Sequence, residues 1–575
     1  MRACRPLSPR LQHINRSLIP CSRFAAQTRF NHADIQPPPP PPHQHEQQQQ
    51  QQQQQRRLSI AQLLEQNTAQ ENVELCGWIR SVRKQKRIAF AVVGDGSTTG
   101  SVQAVLKQPD QASELSYGTA VKVTGHWQPS HGKGQAYELQ VDHLKVLGEN
   151  NAEANPIQPK YQTPEYLRTI PHLRPRTEHN ALVLRLRSQV IASLTRFFHE
   201  NDFVQAHTPI ITSSDCEGAG EVFSVSADGD GSEKGTTTGP SGSASPDAEP
   251  PAVERHFFRT PKYLTVSSQL HLEALAQSVG NVWTLSPTFR AERSDTPRHL
   301  SEFYMLEVEM GFITDLSPLL SLIESMLRGV ATDLQTSRIG RELLAHEQQP
   351  QSQSQSDSAS SEDLLARWRG LSRPSWPRIT YETAIAILRG AASTGAATFS
   401  IPPTYDEGLQ AEHERYLTQH FNPAGRDPTP VFVTDYPTEQ KPFYMLPSSA
   451  AEGGGNTDTV ANFDLLVPTH LELAGGSLRE HRLGFLRAAM AAKGLSSPSS
   501  SNPTASSSQQ QQQPPPADPP SEHSPLDWYL DLRRFGSAPH GGFGMGFDRL
   551  LGYLSGTGSV RDVVSWPRWS GRCDG

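Results

Sequence analysis

Two segments of the sequence decide the fold. In the first, SPTFRAE at residues 286–292 is followed, after a variable loop, by RHLSEF at residues 298–303; the second is GFGMGFDR at residues 542–549. Each segment alone is modest evidence, because a Gly-x-Gly-x-Gly run often reflects only tight packing of a helix on a strand. Their occurrence in one chain, in this order and behind a third element, is far more specific.

The third element lies upstream of both segments. Apolar side chains from Leu186 to Phe198 recur at three- and four-residue steps, which predicts an amphipathic helix. The helix leads into a predicted strand, broken by proline, that contains Thr208 and Pro209. The helix and strand, the arginine-bearing segment and the glycine-rich segment together resemble the three signature motifs of class II aminoacyl-tRNA synthetases.

This resemblance implies a site for ATP. In these enzymes the carboxylate of an amino acid attacks the α-phosphate of ATP, and cations that position the two anions lower the barrier. The resemblance implies catalytic roles for Arg290, on the α-phosphate and the substrate carboxylate, and for Arg549, on the γ-phosphate and adenine. Three glycines would let the backbone approach ATP closely. The other implied ATP-binding residues are Glu292, His299, Leu300, Phe303 and Glu472.

Further segments of the sequence narrow the resemblance to one family within the class II synthetases. They are TSSDCEGAGE at residues 212–221, YLTVSSQL at residues 263–270, DYP at residues 435–437 with PFYM at residues 442–445, and LELAGGSLRE at residues 471–480. Together they are similar to the asparaginyl-tRNA synthetases. The resemblance implies that asparagine is bound by Glu217 and Gln269 at its ammonium group, by Arg479 at its side-chain oxygen, and by Glu307.

The same resemblance implies a Mg²⁺ ion on the ATP phosphates. Glu472 would be its ligand, with Asp464 as a further candidate. Mg²⁺ typically takes one or two carboxylates together with phosphate oxygens. ATP and Mg²⁺ are therefore the expected cofactors.

Two positions favour asparagine over aspartate as the substrate. Aspartyl enzymes carry a lysine three places after the glutamine that matches Gln269, and this chain has the uncharged Leu272 there. Where aspartyl enzymes have an aspartate, this chain has Glu307, as asparaginyl enzymes do. A glutamate accepts a hydrogen bond from a carboxamide and repels a second carboxylate. Taken singly, Leu272 could simply pack on a helix and Glu307 could pair with an arginine.

A small barrel is predicted near the N-terminus. Five short β-branched strands, separated by Gly, Asp and Ser turns, lie between Val73 and Val146. The OB-fold is the common small barrel that binds oligonucleotides. Trp78 beside a basic cluster is typical of a surface that stacks bases and neutralises phosphates, although a solvated basic hairpin has the same composition. The resemblance implies that Phe90 and Gln103 contact an anticodon base, and Arg80 and Arg83 of the basic cluster are expected on the tRNA phosphates.

The expected fold class is α+β. An N-terminal OB-fold β-barrel would be followed by a class II synthetase catalytic domain with a mainly antiparallel sheet flanked by helices. The expected limits are 1–35 for a presequence, 36–56 for a low-complexity linker, 57–150 for the OB-fold domain, 151–170 for a hinge and 171–575 for the catalytic domain. Disordered insertions are expected near 227–254, 346–361 and 496–523, because these runs lack the apolar side chains that offset ordering entropy.

The composition argues against a structural zinc site, a disulfide scaffold and a membrane span. Only 35% of the residues are hydrophobic and the net charge is −7, but an acidic protein can still carry a local basic face. The five cysteines form no Cys-x-x-Cys pair, which argues against a structural zinc site and a disulfide scaffold. No stretch approaches the roughly 18 apolar residues of a membrane span, so no membrane contact is expected.

The composition of the N-terminal segment predicts the cellular location of the protein. The first 33 residues carry six arginines, several serines, no lysine and no acidic residue, with apolar residues at roughly helical spacing. This composition is typical of a mitochondrial presequence, so the mitochondrial matrix is the expected location. A disordered basic tail is the alternative.

The expected reaction is ligation of asparagine to tRNA-Asn through an asparaginyl-adenylate. A homodimer through the Leu186–Phe198 helix and the following strand is expected, as a way to bury the part of that apolar stripe that one domain leaves uncovered. Three alternatives stay open: an aspartyl-tRNA synthetase of relaxed specificity, a catalytically inactive RNA-binding paralogue, and an asparagine-making ligase. The last of these lacks an OB domain.

Overall fold

The computed structural model describes residues 58–132, 134–213, 221–227, 257–347, 359–423, 426–448, 458–495 and 525–575. The predicted presequence and linker, most of the predicted insertions, and Glu217 lie outside these residues. From Leu58 onwards the described residues pack as one unit. None of the described helices is long and apolar enough to cross a membrane.

The N-terminal part of the described chain is a short helix and five strands. These are α1 (Ile60–Gln66), β1 (Gln70–Lys84), β2 (Ala89–Gly94), β3 (Val102–Leu106), β4 (Ala120–Pro129) and β5 (Tyr137–Gly148). The strands close into a barrel in the order β1-β2-β3-β5-β4, with β3 parallel to β5 and the other neighbours antiparallel. Ser59 caps α1, which adds Ile60 and Leu63 to the barrel core. The predicted five-stranded barrel is confirmed.

Strand β2 is apolar on both of its faces, so its pattern alone does not say which face points inward. In the barrel, Ala89, Ala91 and Val93 are fully buried in the core. Phe90 lies on the outer face and is partly exposed. Gln103 of β3 is also partly exposed, and its neighbour across the strand pair is Val92. Phe90 and Gln103 are therefore surface residues of the barrel.

The remaining chain is built on an eight-stranded sheet. Its strands are β6 (Val204–Gln205), β10 (Asn281–Phe289), β11 (Glu302–Gly311), β12 (Arg378–Thr380), β13 (Val431–Thr434), β14 (Asn462–Val467), β15 (Leu471–Leu478) and β16 (His540–Gly546). Their order is β12-β13-β14-β15-β16-β11-β10-β6, antiparallel from β13 to β10 and parallel at the two outermost pairs. The predicted mainly antiparallel sheet is confirmed. A separate small sheet contains β7 (Ile211–Thr212), β8 (Ser224–Val225) and β9 (Lys262–Leu264).

Helices flank this sheet. Those preceding the glycine-rich segment are α2 (Pro164–Arg168), α3 (Glu178–Glu200), α4 (Gln269–Val279), α5 (Ser317–Thr336), α6 (Arg338–Glu347), α7 (Ser361–Leu371), α8 (Tyr381–Thr394), α9 (Ala411–Phe421), α10 (Leu483–Ala492) and α11 (Asp527–Arg534). The last helix is α12 (Phe547–Ser555). The largest core joins side chains of α3, α5, α7 and α12 to the central strands, with Trp368 and Phe543 among its fully buried aromatic residues.

The predicted helix of the first motif is α3, and its apolar stripe is satisfied within the chain. Leu186, Val190, Leu194 and Phe198 are each 0% exposed. The Phe198 ring stacks on Trp283 with ring centroids 4.7 Å apart. The expectation that this stripe needs a second subunit to bury it is therefore wrong. The exposed apolar side chains of this region are Leu184 on the helix and, on the segment after it, Val204, Ile210 and Ile211.

Candidate active site and nucleic-acid interface

The hairpin of β10 and β11 joins the two halves of the arginine-bearing segment. Phe289 at the end of β10 pairs with Glu302 at the start of β11, and the backbone N–H of Arg290 donates to the carbonyl of Ser301 over 3.0 Å. This pairing brings Phe303 next to Arg290, whose guanidinium carbon lies 5.7 Å from the centre of the phenyl ring. A cation and an aromatic face thus share one surface.

A cavity of about 240 Å³ opens on this surface, between β11, β15, β16 and α12. All seven side chains predicted for ATP line it: Arg290, Glu292, His299, Leu300, Phe303, Glu472 and Arg549. Gly544 and Gly546 line it as well. At Gly542, by contrast, a Cβ atom would lie 2.1 Å from a carboxylate oxygen of Glu309 on the adjacent strand. The glycine at 542 therefore serves the packing of the sheet rather than an approach to ATP, which corrects the expectation for three glycines.

The charged groups of this cavity are interlinked. Glu292 lies 3.9 Å from Arg290 and 3.5 Å from the Nε2 atom of His299. Burial and the charge of Arg549 lower the pKa of His299, although Glu292 acts in the opposite direction. Arg549, on the first turn of α12, donates a hydrogen bond to the carbonyl of Glu472. Two guanidiniums on one cavity wall are the groups that bind phosphates best.

A second cavity, of about 330 Å³, adjoins the first. Three side chains predicted for asparagine line it: Gln269, Glu307 and Arg479. The fourth, Glu217, lies outside the described residues. Arg290, Glu472 and Gly544 line both cavities. Ligands in the two cavities would therefore meet at Arg290.

Arg479 follows β15 and is only 3% exposed. Its Nη2 atom lies 3.0 Å from Glu309, and its Nη1 atom donates to the hydroxyl of Ser477 over 2.8 Å. Burial by itself lowers the pKa of Arg479, but the nearby carboxylates of Glu309 and Glu273 outweigh it and raise that pKa. The guanidinium is thus a permanently charged and well-fixed group on the cavity wall.

Glu307 is fixed by the start of α4. The backbone N–H of Ser268 lies 3.0 and 2.9 Å from its two carboxylate oxygens, and the hydroxyl of Ser267 also donates to it. Burial raises the pKa of Glu307, while these hydrogen bonds lower it. Its described hydrogen-bond partners are serines rather than an arginine. Leu272 is 1% exposed and also lines the cavity, so it contributes packing and an uncharged wall together.

Asp464 and Glu472 converge on neighbouring strands. A Cβ atom at Gly475 would lie 3.2 Å from Oδ1 of Asp464 and 3.4 Å from Oε1 of Glu472. Lys441 places its ammonium 3.0 Å from Asp464. Glu472 keeps contact with the solvent of the cavity, yet the protein around it and the charge of Asp464 raise its pKa. In the described residues, no three His, Cys, Asp or Glu side chains form a group able to hold a metal.

Two converging carboxylates suit a Mg²⁺ ion whose other ligands are phosphate oxygens and water. The residues present therefore fit the ion that the sequence implied.

On the barrel, Arg83 and Phe90 face each other across β1 and β2. The Arg83 guanidinium carbon lies 4.8 Å from the centre of the Phe90 ring. Gln103 points its amide to Glu138, at 3.4 Å. Arg80, in contrast, donates to the backbone carbonyl of Arg176 over 3.3 Å. The structure thus groups Arg83, and not Arg80, with the predicted base-stacking residue.

Both the barrel and the region that contains the two cavities match known protein families. Residues 164–570 match the family tRNA synthetases class II (D, K and N), and residues 73–147 match the OB-fold nucleic acid binding domain. The chain is 37% identical over 529 residues to the mitochondrial asparagine--tRNA ligase of Saccharomyces cerevisiae, covering 89% of this chain and 96% of that protein. The chain belongs to the asparaginyl-tRNA synthetase family.

Other relatives agree with this assignment. The synthetase is 38% identical over 502 residues to the mitochondrial asparagine--tRNA ligase of Schizosaccharomyces pombe, covering 87% of this chain and 94% of that one. Its fold matches the crystal structure of asparaginyl-tRNA synthetase from Pyrococcus horikoshii complexed with asparaginyl-adenylate, with a TM-score of 0.69. That match has 24% identity and covers 90% of this chain and 99% of the other.

Several charged residues of the synthetase site were missed by sequence reasoning, among them Arg298 and Asp548 in the first cavity. Lys441 and Glu309 line the second cavity, and Glu273 lies behind it on α4. A signal was present for Glu273, because it falls among the otherwise apolar residues on the buried side of an amphipathic helix, where a charge requires partners. Those partners come from distant parts of the chain and could not be named in advance.

Proposed function

We propose that this protein attaches asparagine to tRNA-Asn in two steps, through an asparaginyl-adenylate. The observation that carries the proposal is the shared wall of the two cavities, which includes Arg290, Glu472 and Gly544. A nucleotide in one cavity and an amino acid in the other would bring the α-phosphate and the substrate carboxylate to the same guanidinium. Two mutually repelling anions need such a cation between them.

In the first step, a carboxylate oxygen of asparagine forms a bond to the α-phosphorus of ATP. The bond between that phosphorus and the bridging oxygen to the β-phosphate breaks, and pyrophosphate leaves. Arg290 would hold the reacting groups in line, and Arg549 would hold the leaving phosphates. Phe303 offers the adenine a flat face beside Arg290. No side chain needs to become covalently modified.

Mg²⁺, when bound to the phosphates, would neutralise charge that develops on the departing pyrophosphate. Glu472 and Asp464 are the residues proposed to hold it, since their oxygens converge above Gly475. Lys441 already balances Asp464 at 3.0 Å, so the ion would be bound more strongly by Glu472.

The second cavity supports selection of asparagine over aspartate. Arg479 would donate to the side-chain carbonyl oxygen, and Glu307, held by Ser267 and Ser268, would accept from the side-chain NH₂ group. Leu272 adds no positive charge for a second carboxylate. A site that hydrogen-bonds a specific polar group can reject an isostere by about 10⁴–10⁵.

In the second step, a hydroxyl of the terminal ribose of the tRNA attacks the carbonyl carbon of the adenylate, and AMP leaves. The barrel would hold the anticodon by stacking on Phe90, with Gln103 on the base edge and Arg83 on a phosphate. Arg80 is a weaker candidate for a phosphate contact, because its guanidinium bonds to the carbonyl of Arg176.

We further propose that the protein works in mitochondria and as a homodimer. The arginine-rich, acid-free N-terminus supports import. The edge strand β6 and the exposed side chains of Val204, Ile210 and Ile211 support a subunit interface, because an unpaired edge beside apolar surface favours association.

ATP–pyrophosphate exchange with each amino acid in turn tests the proposed reaction. Asparagine alone should support exchange, and tRNA-Asn should then be charged. Comparable exchange with aspartate would favour the aspartyl enzyme of relaxed specificity. Exchange with no amino acid, from a folded protein, would favour the inactive RNA-binding paralogue.

A further inference from the structure

Glu273 is a buried carboxylate that lies behind the amino-acid cavity. It follows Gln269 by one turn of α4, and its side chain is 0% exposed. A charge at such a position is costly unless several groups stabilise it. The hydrogen-bond partners of this carboxylate therefore indicate its role.

Each oxygen of Glu273 has its own set of partners. Oε2 accepts from the hydroxyl of Tyr529 at 2.7 Å and from Arg533 at 2.6 Å, and it lies 3.1 Å from Nε2 of His540. Oε1 accepts from the amide nitrogen of Gln269 at 3.0 Å. The residues around Oε2 belong to α11 and the start of β16, so they anchor the carboxylate from behind.

Oε1 also lies 3.9 Å from the Nε atom of Arg479. Gln269 and Arg479 are two of the side chains that line the amino-acid cavity. A single carboxylate oxygen thus touches one group proposed to bind the substrate ammonium and faces another proposed to bind its side chain.

The carboxylate is ionised at neutral pH. Burial alone raises the pKa of Glu273, but the charge of Arg533, the hydrogen bond from His540 and the charge of Arg479 outweigh it and lower that pKa below its usual value. An ionised carboxylate accepts hydrogen bonds and donates none.

We propose that Glu273 is a positioning residue that orients Gln269 and Arg479 and thereby sets both the affinity for asparagine and the rejection of aspartate. The proposal rests on the proposed function of the cavity. Because Glu273 can only accept, the NH₂ group of Gln269 must face it. The carbonyl oxygen of Gln269 is then left for the cavity, where it is the end that accepts from a substrate ammonium group.

The same carboxylate limits the positive charge of the site. Arg479 is shared between Glu273 and Glu309, the latter at 3.0 Å. With both carboxylates present, the guanidinium acts as a hydrogen-bond donor more than as a net positive charge. Removal of Glu273 leaves Arg479 less compensated, which favours an anionic substrate side chain over a neutral carboxamide.

The test compares Glu273→Gln with the wild type and with Glu324→Gln. Glu324 is also buried and paired with an arginine, Arg378 at 3.1 Å, but it lies on α5 and lines neither cavity. Pyrophosphate exchange gives KM for asparagine, KM for ATP, and the ratio of kcat/KM for asparagine to that for aspartate. Glu273→Gln should raise KM for asparagine about 10-fold or more, the scale of a lost charge-assisted hydrogen bond.

In the same variant KM for ATP should stay within about 2-fold of the wild type, and the ratio should move towards aspartate by about 10-fold, since only the amino-acid site has changed. Glu324→Gln should leave KM for asparagine, KM for ATP and the ratio of kcat/KM values unchanged. Unchanged KM for asparagine, or KM values for both substrates that rise together, would overturn the positioning role. A wild type with no asparagine-dependent exchange would instead refute the proposed function.

A second variant covers the case in which Glu273→Gln does not fold. Tyr529→Phe keeps the shape of the side chain and removes one hydrogen bond to Glu273. It should raise KM for asparagine about 3- to 10-fold with KM for ATP unchanged, because Arg533 and His540 still hold Oε2 of Glu273 when the phenol is lost. A Tyr529→Phe enzyme with wild-type KM for asparagine would also overturn the proposal.

Discussion

Replacement of Phe90 by alanine tests the nucleic-acid face of the barrel most directly. The ring lies on the outer face of β2, with Arg83 4.8 Å above it. The inward-facing neighbours Ala89, Ala91 and Val93 fill the barrel core, so the barrel does not depend on Phe90 for its packing. Loss of the ring should therefore reduce binding of the tRNA and leave the fold intact.

The expected magnitude follows from base stacking. An aromatic side chain contributes about 1–3 kcal/mol for each base that it stacks. Since 1.4 kcal/mol is a factor of ten, charging of tRNA-Asn should fall by about 10- to 100-fold in kcat/KM. The adenylate is proposed to form at Arg290, in a different part of the chain, so asparagine-dependent pyrophosphate exchange should not change.

Val93→Ala is the matched control on the same strand. Val93 is 0% exposed in the barrel core, and removal of its two methyl groups should cost about 2 kcal/mol of stability. Melting and charging are measured for both variants. The reasoning is refuted if Phe90→Ala melts as early as Val93→Ala, if it charges tRNA normally, or if its exchange activity falls in step with charging.

Arg290→Ala should lower pyrophosphate exchange more than about 100-fold at unchanged melting temperature, whereas Arg328→Ala, on the remote helix α5, should not affect exchange. Asp548→Asn should lower the free energy of unfolding, measured in urea, by about 2 kcal/mol, because it weakens the ion pair between the buried Asp548 and the partly exposed Arg187 of α3. Val204→Asp should yield a monomer by sedimentation, and an unchanged dimer would move the interface elsewhere. Residues 1–33 should carry a fluorescent reporter into mitochondria, and cytosolic fluorescence would contradict the import role.

Much of the fold was predictable from local patterns. The five barrel strands follow from alternating β-branched runs between turn residues, because side chains of a strand point alternately to two faces. Helix α3 follows equally from its apolar spacing. The pattern did not predict what would cover each apolar face. The stripe of α3 is buried inside its own chain, and β2 turns Phe90 outward, because packing partners come from distant elements.

The candidate site, like the fold, was predictable from the sequence only in part. The residue types proposed to contact ATP were predictable, because phosphates demand arginine and close backbone approach demands glycine, and both occur in short segments around Arg290 and Arg549. Only the tertiary structure decided which charges neutralise one another. Arg80 bonds to the carbonyl of Arg176, and Glu273 joins Gln269 to Arg479 across several elements. The residue types of a binding segment can be identified from the local sequence. The pairing of buried charges depends on contacts between residues far apart in the chain.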